Sequence, residues 1–253
     1  MSLLDNYINF ECNICCAHNR VLKNEFGRET GLCSKCHSNV RLRSIVHLLS
    51  LSFFGESLSL PNFPIRKELI GLGMSDWEVY ANSLKTKFSY TNTYYHQEPR
   101  LDITQISYEM YDSVDFIISS DVFEHINPPI NKAFKNSYNL LKDNGVFIFS
   151  VPFVIEGETL EHFPDLHLYT IELTGNRYVL RNTTKNGQEQ IFEDLIFHGG
   201  PGSTLEMRIF SKNDIIMHFQ SAGFSSIEFF ENNYSKYGII WENKYSLPLI
   251  ARK

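Results

Sequence analysis

The chain has no hydrophobic run long enough to cross a membrane, and it has no surplus of positive charge. The first absence predicts a protein without a membrane span. The second, with a formal net charge of −6 and an isoelectric point near 5.8, argues against a protein that coats nucleic acid. The opening MSLLDNYINFEC lacks the basic start and apolar core of a secretion signal, so a cytoplasmic location is expected. Without that signal, a disulfide framework is not expected either. Cysteine is absent from residue 37 onward, and all five cysteines lie in the first 36 residues. Aromatics, by contrast, make up 14%, which favours a folded domain with a shaped pocket over a disordered scaffold. A length of 253 residues holds one α/β domain and a small module. Nothing in the sequence fixes an oligomeric state.

The cysteines carry the sharpest local pattern. Cys12-x2-Cys15 and Cys33-x2-Cys36 are separated by 17 residues. Each short turn lets two sulfurs converge on one ion, and four thiolates complete a tetrahedral site. Structural Zn2+ is therefore expected, with no open position for catalysis. Two disulfides, or four reduced core thiols, are the alternatives. Cys16 is left over, and His18 and His37 are weaker substitute ligands. Residues 10–38 read as a zinc ribbon. Residues 39–54 then read as a helix with Val40, Leu42, Ile45, Leu48 and Leu49 on its apolar face. Arg20, Lys23, Arg28, Arg41 and Arg43 add positive charge. They suit a grip on an anionic partner such as RNA, or, the preferred reading, a cap packed on the main domain or part of its substrate lid. Residues 58–64 (LSLPNFP) read as a linker. The expected division is a zinc module at 1–57 and a main domain at 65–253.

The main domain reads as alternating strands and helices, hence a largely parallel α/β sheet. Residues 115–120 form a short apolar run typical of a strand buried on both faces. Asn127 is expected to cap a helix with Pro128 and Pro129 in its first turn, ended by Asn144-Gly145 before the strand VFIFSV. Upstream, residues 68–73 are a candidate first strand running into Gly71-x-Gly73-x-Ser75, followed by a helix over 77–87. Glycines there let the backbone approach a ligand at a helix N-terminus. Asp76 stands where a dinucleotide site needs a third glycine, which disfavours nicotinamide or flavin. A second strand is expected at 88–95. Past VFIFSV, the segment 156–208 is rich in His and acidic residues. It carries a hairpin turn at Lys185-Asn186-Gly187 and a glycine loop, HGGPGSTLEMR. A helix capped by Ser211 and stopped by Gly223 precedes two final strands, SIEFFE and SLPLIARK.

SSDVFEHI followed by LLKDNGVFIFSVPF resembles the middle of class I S-adenosylmethionine-dependent methyltransferases of the type-11 kind. The resemblance covers roughly residues 66–253 and matches 156–208 poorly. It implies a Rossmann-like, seven-stranded, mostly parallel sheet with helices on both faces, and S-adenosyl-L-methionine as donor. By position, the donor would be held by Gly71, Gly73, Ser75, Tyr95, Asp102, Asp121 and Val122. Leu69, Ser75 and the absence of an obvious acid after the second strand depart from the family pattern. The nearest carboxylate there is Glu98. Leu101-Asp102-Ile103 resembles the family's third-strand motif, and Asp102 is also read as a turn cap.

Segment 156–208 would face the acceptor. A hydroxyl acceptor gains from a general base, and His162, His167, His125 and His198 are candidates, the first two preferred. Asp165 and its neighbouring histidines show no tight metal-ligand spacing. IGLGMSDWEVYA and LPLIARK are similar to enzymes that modify bacterial surface-polysaccharide building blocks, as in capsule biosynthesis. This implies a small-molecule acceptor: a sugar, sugar nucleotide or phosphoramidate, with Arg177, Arg181 and Arg208 as phosphate anchors. The alternatives are an RNA or protein methyltransferase fed by the zinc module, and a non-catalytic scaffold.

Overall fold

The computed structural model describes residues 6–253. Strands β1 (Tyr7–Glu11) and β2 (His18–Leu22) pair antiparallel around the first C-x2-C turn. Helix α1 (Val40–Phe54) starts immediately after the second. The Asn39 side chain accepts from the Leu42 N–H, and Gly55 closes the helix in the left-handed region. Then follow β3 (Arg66–Met74), α2 (Glu78–Lys87), β4 (Phe88–Thr93), β5 (Val114–Ser120), α3 (Asn131–Leu140) and β6 (Leu141–Ser150). Short strands β7 (Phe153–Val154) and β8 (Leu160–Glu161) lead to a meander of β9 (Leu168–Thr174), β10 (Arg177–Thr183) and β11 (Glu189–Phe192). A small hairpin, β12 (Phe197–His198) with β13 (Thr204–Leu205), precedes β14 (Arg208–Ser211), α4 (Lys212–Ala222), β15 (Ser226–Phe229) and β16 (Leu249–Arg252).

The central sheet runs β15-β16-β6-β5-β3-β4. Strands β4, β3, β5 and β6 are parallel, and β16 lies antiparallel between β6 and β15. Among the described residues this sheet has six strands, not the seven expected. Leu101-Asp102-Ile103 stays outside because Asp102 turns the chain. Its Oδ1 accepts from the Thr104 N–H (2.9 Å) and hydroxyl (2.7 Å), and one bridge, Tyr94 to Arg100, is all that reaches the sheet edge.

Helices cover both faces. On one, α1 and α2 bury Val40, Ile45, Leu49, Tyr80 and Leu84 against Phe88, Phe116 and Ile148. On the other, α3 and α4 bury Phe134, Ile215 and Phe219 against Ile117, Phe147 and Phe149. Each such side chain contributes about 1.5–3 kcal/mol by leaving water. Helix α1 thus belongs to the sheet's own core. The segment read as a linker is packed there too, with Leu60 and Phe63 buried.

Two expected boundaries move. Helix α3 begins at Asn131, after both prolines, because a residue preceding proline avoids the helical region. It ends at Leu140, and Lys142–Gly145 becomes an irregularity inside β6, with Asn144 at φ +62°. The expected hairpin around Gly187 forms as β10 and β11 (Leu180 opposite Phe192), and α4 has the predicted Ser211 cap and Gly223 stop.

Candidate functional site

The strand order reverses between β3 and β5, so the carboxyl ends of these two strands open the crevice where parallel α/β sheets bind ligands. What lies close to the β3 glycines is the protein's own side chains. A Cβ on Gly71 would overlap the Phe116 ring, and one on Gly73 would overlap the Tyr90 hydroxyl and the Asp76 carboxylate. Ser75 turns the chain at φ +55°, and Asp76 folds inward beneath it. The Asp76 carboxylate accepts from Tyr80 Oη (2.6 Å) and from the Tyr90 hydroxyl. Its backbone N–H and C=O pair with the Asn92 amide, both at 2.8 Å. Burial pushes the Asp76 carboxyl up to about 7, against the pull of the two tyrosines. Tyr95 is half exposed beside Arg100.

The end of β5 is governed by charge. Asp121 adopts φ +54° and meets two cations from the N-terminal module. Arg28 grips both carboxylate oxygens (2.9 Å to Oδ2), and Arg41 Nε stands 3.1 Å from Oδ2. Arg41 also donates to Ser120 Oγ (2.6 Å), and Glu29 links the two guanidiniums. Burial alone would raise the Asp121 pKa, but Arg28 and Arg41 hold it below the usual carboxylate range. Val122 packs into the apolar core beyond it. Arg43 also points inward, buried and donating to the carbonyls of Ser38, Gly31 and Gly238. Three of the five cations noted in the module are therefore engaged inside the protein. Nothing in local spacing announced the Arg28 and Arg41 contacts with Asp121.

One turn further, residues 123–126 carry Glu124 and His125. Arg208, fully buried, donates to the carbonyls of Phe123 (2.9 Å) and Ile126 (2.7 Å) and to Glu161, so it clamps this turn and is not a phosphate anchor. The Met207 N–H donates to Glu124 O at 2.8 Å. These bonds bring the hairpin of residues 197–205 over the turn. His125 Nδ1 meets Leu205 O (2.9 Å), and its ring stands perpendicular to that of His198, with centroids 4.8 Å apart. Glu206 bridges His198 Nε2 and His162 Nε2, each at 2.9 Å. Of the predicted bases, His125, His162 and His198 thus gather, and His167 stands exposed ahead of β9. Burial raises the pKa of Glu124 and lowers that of His125. Glu206 was missed, having no marker in its glycine-rich stretch.

At the other end, the four sulfurs of Cys12, Cys15, Cys33 and Cys36 lie within 4.8 Å of one another. Cys12 and Cys36 are 3.6 Å apart, and Cys15 and Cys33 are 3.5 Å apart. A zinc tetrahedron with bonds of about 2.3 Å has edges of about 3.8 Å. The two turns are built alike. Cys16 and His37, each the residue after its pair, both take φ +58°. Cys16 N–H bonds Cys12 O (2.8 Å) as His37 N–H bonds Cys33 O (2.9 Å). The leftover Cys16 instead contacts Ser59 Oγ. The buried Arg43 cation balances the negative charge that four thiolates leave on a divalent ion, so the donor set fits zinc.

With this geometry in view, comparison with known proteins is informative for the middle of the chain. Residues 70–149 match the family described as "Methyltransferase domain". This match covers about a third of the chain. No curated protein matches the sequence. Among solved structures, a Burkholderia thailandensis 1,6-didemethyltoxoflavin-N1-methyltransferase with bound S-adenosylhomocysteine is similar, at 12% identity and a TM-score of 0.47, over 84% of this chain and 77% of that one. CalS10, a Micromonospora echinaspora amino pentose methyltransferase, matches at 11% identity and 0.45, over 84% and 90%. A Clostridium acetobutylicum S-adenosylmethionine-dependent methyltransferase matches at 14% and 0.43, over 72% and 83%.

Proposed function

We propose that the chain is an S-adenosylmethionine-dependent methyltransferase acting on a small-molecule acceptor, with one structural zinc on Cys12, Cys15, Cys33 and Cys36. The observation that carries the first part is the methyltransferase-domain match over residues 70–149, which spans the switch point between β3 and β5. The crevice also has suitable charges. The amino-acid end of the donor bears one ammonium and one carboxylate. Asp121 suits the first, and Arg28 with Arg41 suits the second. Ser75 and Tyr95 lie exposed on the same edge.

When bound, the donor supplies a methyl group on a sulfonium sulfur for in-line displacement. The protein's share is alignment and the removal of a proton. With its Nε2–H donating to Glu206, His162 keeps a lone pair on Nδ1 for a hydroxyl acceptor's proton. We assign the acceptor to a sugar-like hydroxyl or amine of surface-polysaccharide building blocks, on the sequence resemblance alone.

A second reading has its own observation. The space above Gly73 is filled by Tyr90 and Asp76, as a scaffold without donor would have it. Calorimetric titration with S-adenosylhomocysteine separates the two. Micromolar binding that weakens tenfold or more in Arg28→Ala supports the enzyme. No binding by folded, zinc-loaded protein leaves the scaffold.

A further inference from the structure

Glu124 is a buried carboxylate without hydrogen-bonding partners among the described residues. It is 0% exposed, and neither carboxylate oxygen has a hydrogen-bonding partner among the described residues. A buried carboxylate in such a place calls for a cation. The arginines nearby face other groups: Arg28 and Arg41 meet Asp121, and Arg208 bonds two carbonyls and Glu161 through Nη1 and Nε, while its Nη2 makes no hydrogen bond to Glu124.

Two histidines converge on Glu124 instead. One ligand atom from each of Glu124, His125 and His198 lies within 4.8 Å of the other two. His125 Nε2 stands 3.7 Å from Glu124 Oε1, too far for a hydrogen bond. Two ligands about 2.1 Å from one cation stand about 3.0–3.7 Å apart at coordination angles of about 90–125°, so the separation suits two ligands of one ion. Both rings are prepared for this. His125 Nδ1 faces the Leu205 carbonyl, which fixes the proton there and leaves the lone pair on Nε2. His198 leans on the Glu206 carboxylate, itself shared with His162. Carboxylate or carbonyl partners on the far nitrogen are the usual support of a ligating imidazole. Arg208 and the Met207 N–H hold the turn of Glu124 and the hairpin of His198 in one register.

We propose that Glu124, His125 and His198 bind a divalent first-row transition-metal cation, with Glu206 and His162 positioning the imidazoles behind it. One carboxylate and two imidazoles suit Mn2+, Fe2+, Co2+ or Zn2+, and three protein ligands leave coordination positions for water or for an oxygen of a substrate. The ion differs from the one at the cysteines in ligand hardness, in place and in having open positions. Asp121 lies three residues away on the same edge, so the cation stands where the crevice meets segment 156–208. Its use, holding an acceptor hydroxyl, rests on the methyl-transfer reading; the site itself does not.

The test is Mn2+ titration of the purified full-length protein, zinc-loaded at the cysteines and without donor, followed by loss of the free Mn2+ electron paramagnetic resonance signal. Manganese avoids the thiolate site. The expected result is one Mn2+ per chain with micromolar affinity, weakened at least tenfold in Glu124→Gln and in His198→Ala, and weakened also in Glu206→Gln, which touches no metal. Glu124→Gln keeps the side chain's volume and removes a buried carboxylate, so its folding is not at risk. Its melting temperature should match or exceed that of the metal-free wild type and should no longer rise with Mn2+. The proposal falls if folded wild type leaves all Mn2+ free to millimolar concentration, or if the variants bind it as well as wild type does. Neither result bears on binding of S-adenosylhomocysteine, so the methyltransferase reading is judged separately.

Discussion

Asp76→Asn tests the closed network beneath Gly73. The Asp76 carboxyl is buried between Tyr80 and Tyr90, and its pKa is raised to about 7, against 3.8 for an ordinary aspartate. A raised pKa means that the fold prefers the protonated form. That preference stabilises the protein fully below about pH 4 and is lost as pH rises through 7. Working the two values through linkage, the native state gains about 2.5 kcal/mol more from this group at pH 5 than at pH 8. Asn cannot ionise, and its amide still pairs with two hydroxyls, so the variant lacks this pH-dependent term. The assay is urea unfolding of wild type and Asp76→Asn at pH 5, 6.5 and 8 with zinc present. The stability of Asp76→Asn relative to wild type should rise by about 2.5 kcal/mol from pH 5 to pH 8, or roughly 5–10 °C in melting temperature. Other titrating groups cancel in the difference. A difference that stays flat with pH would refute the buried, neutral Asp76.

Three further outcomes are expected. Cys33→Ser should drop bound zinc from one per chain to none by elemental analysis and lower the urea midpoint; retention of one zinc would refute the four-cysteine site. Asp121→Asn leaves Arg28 and Arg41 facing a neutral amide. It should cost about 3 kcal/mol at pH 7, a gap that shrinks as pH falls below about 4, because the lowered Asp121 pKa places its contribution above that range. Gly73→Ala drives a methyl into the Tyr90 hydroxyl and should cost about 3 kcal/mol. The same substitution in a Tyr90→Phe background should cost measurably less, and equal losses in both would show that the overlap is relieved elsewhere.

How legible each part was depends on how far apart its partners lie in the chain. The Ser211 cap and Gly223 stop of α4 act within one turn, and both hold. The cysteine pairs were readable because two short turns with one chemistry leave few alternatives. The glycines at 71 and 73 were read as room for a ligand, but glycine cannot say what approaches, and Phe116, Tyr90 and Asp76 lie where their Cβ atoms would go. The Asn127 cap failed because two consecutive prolines delay α3 until Asn131. Leu101–Ile103 failed as a strand because one aspartate offered a local turn stronger than a sheet edge. For the site, Arg28 reaches Asp121 across 93 positions and His125 reaches Leu205 across 80. No period or motif encodes such pairings; the fold alone makes them.

The turn after β5 joins these separate pieces. It places Asp121 and Glu124 three positions apart, and the two carboxylates receive opposite treatment. Asp121 is met by two guanidiniums carried on the cysteine module and the first turn of α1. Glu124 is sealed from water by Arg208 and the hairpin that carries His198 and Glu206. The N-terminal module and segment 156–208 therefore each supply half of the surroundings of one short turn, from opposite ends of the chain. The cysteine turns bear on that turn, because Arg28 lies between the two cysteine pairs and Arg41 follows the second. Arg28 rides on the loop between the cysteine pairs, whereas Arg41 rides on α1, which is packed in the sheet's core, so the two cations on Asp121 are held in different ways. This is why the charge at the crevice cannot be understood from residues 70–149 taken alone.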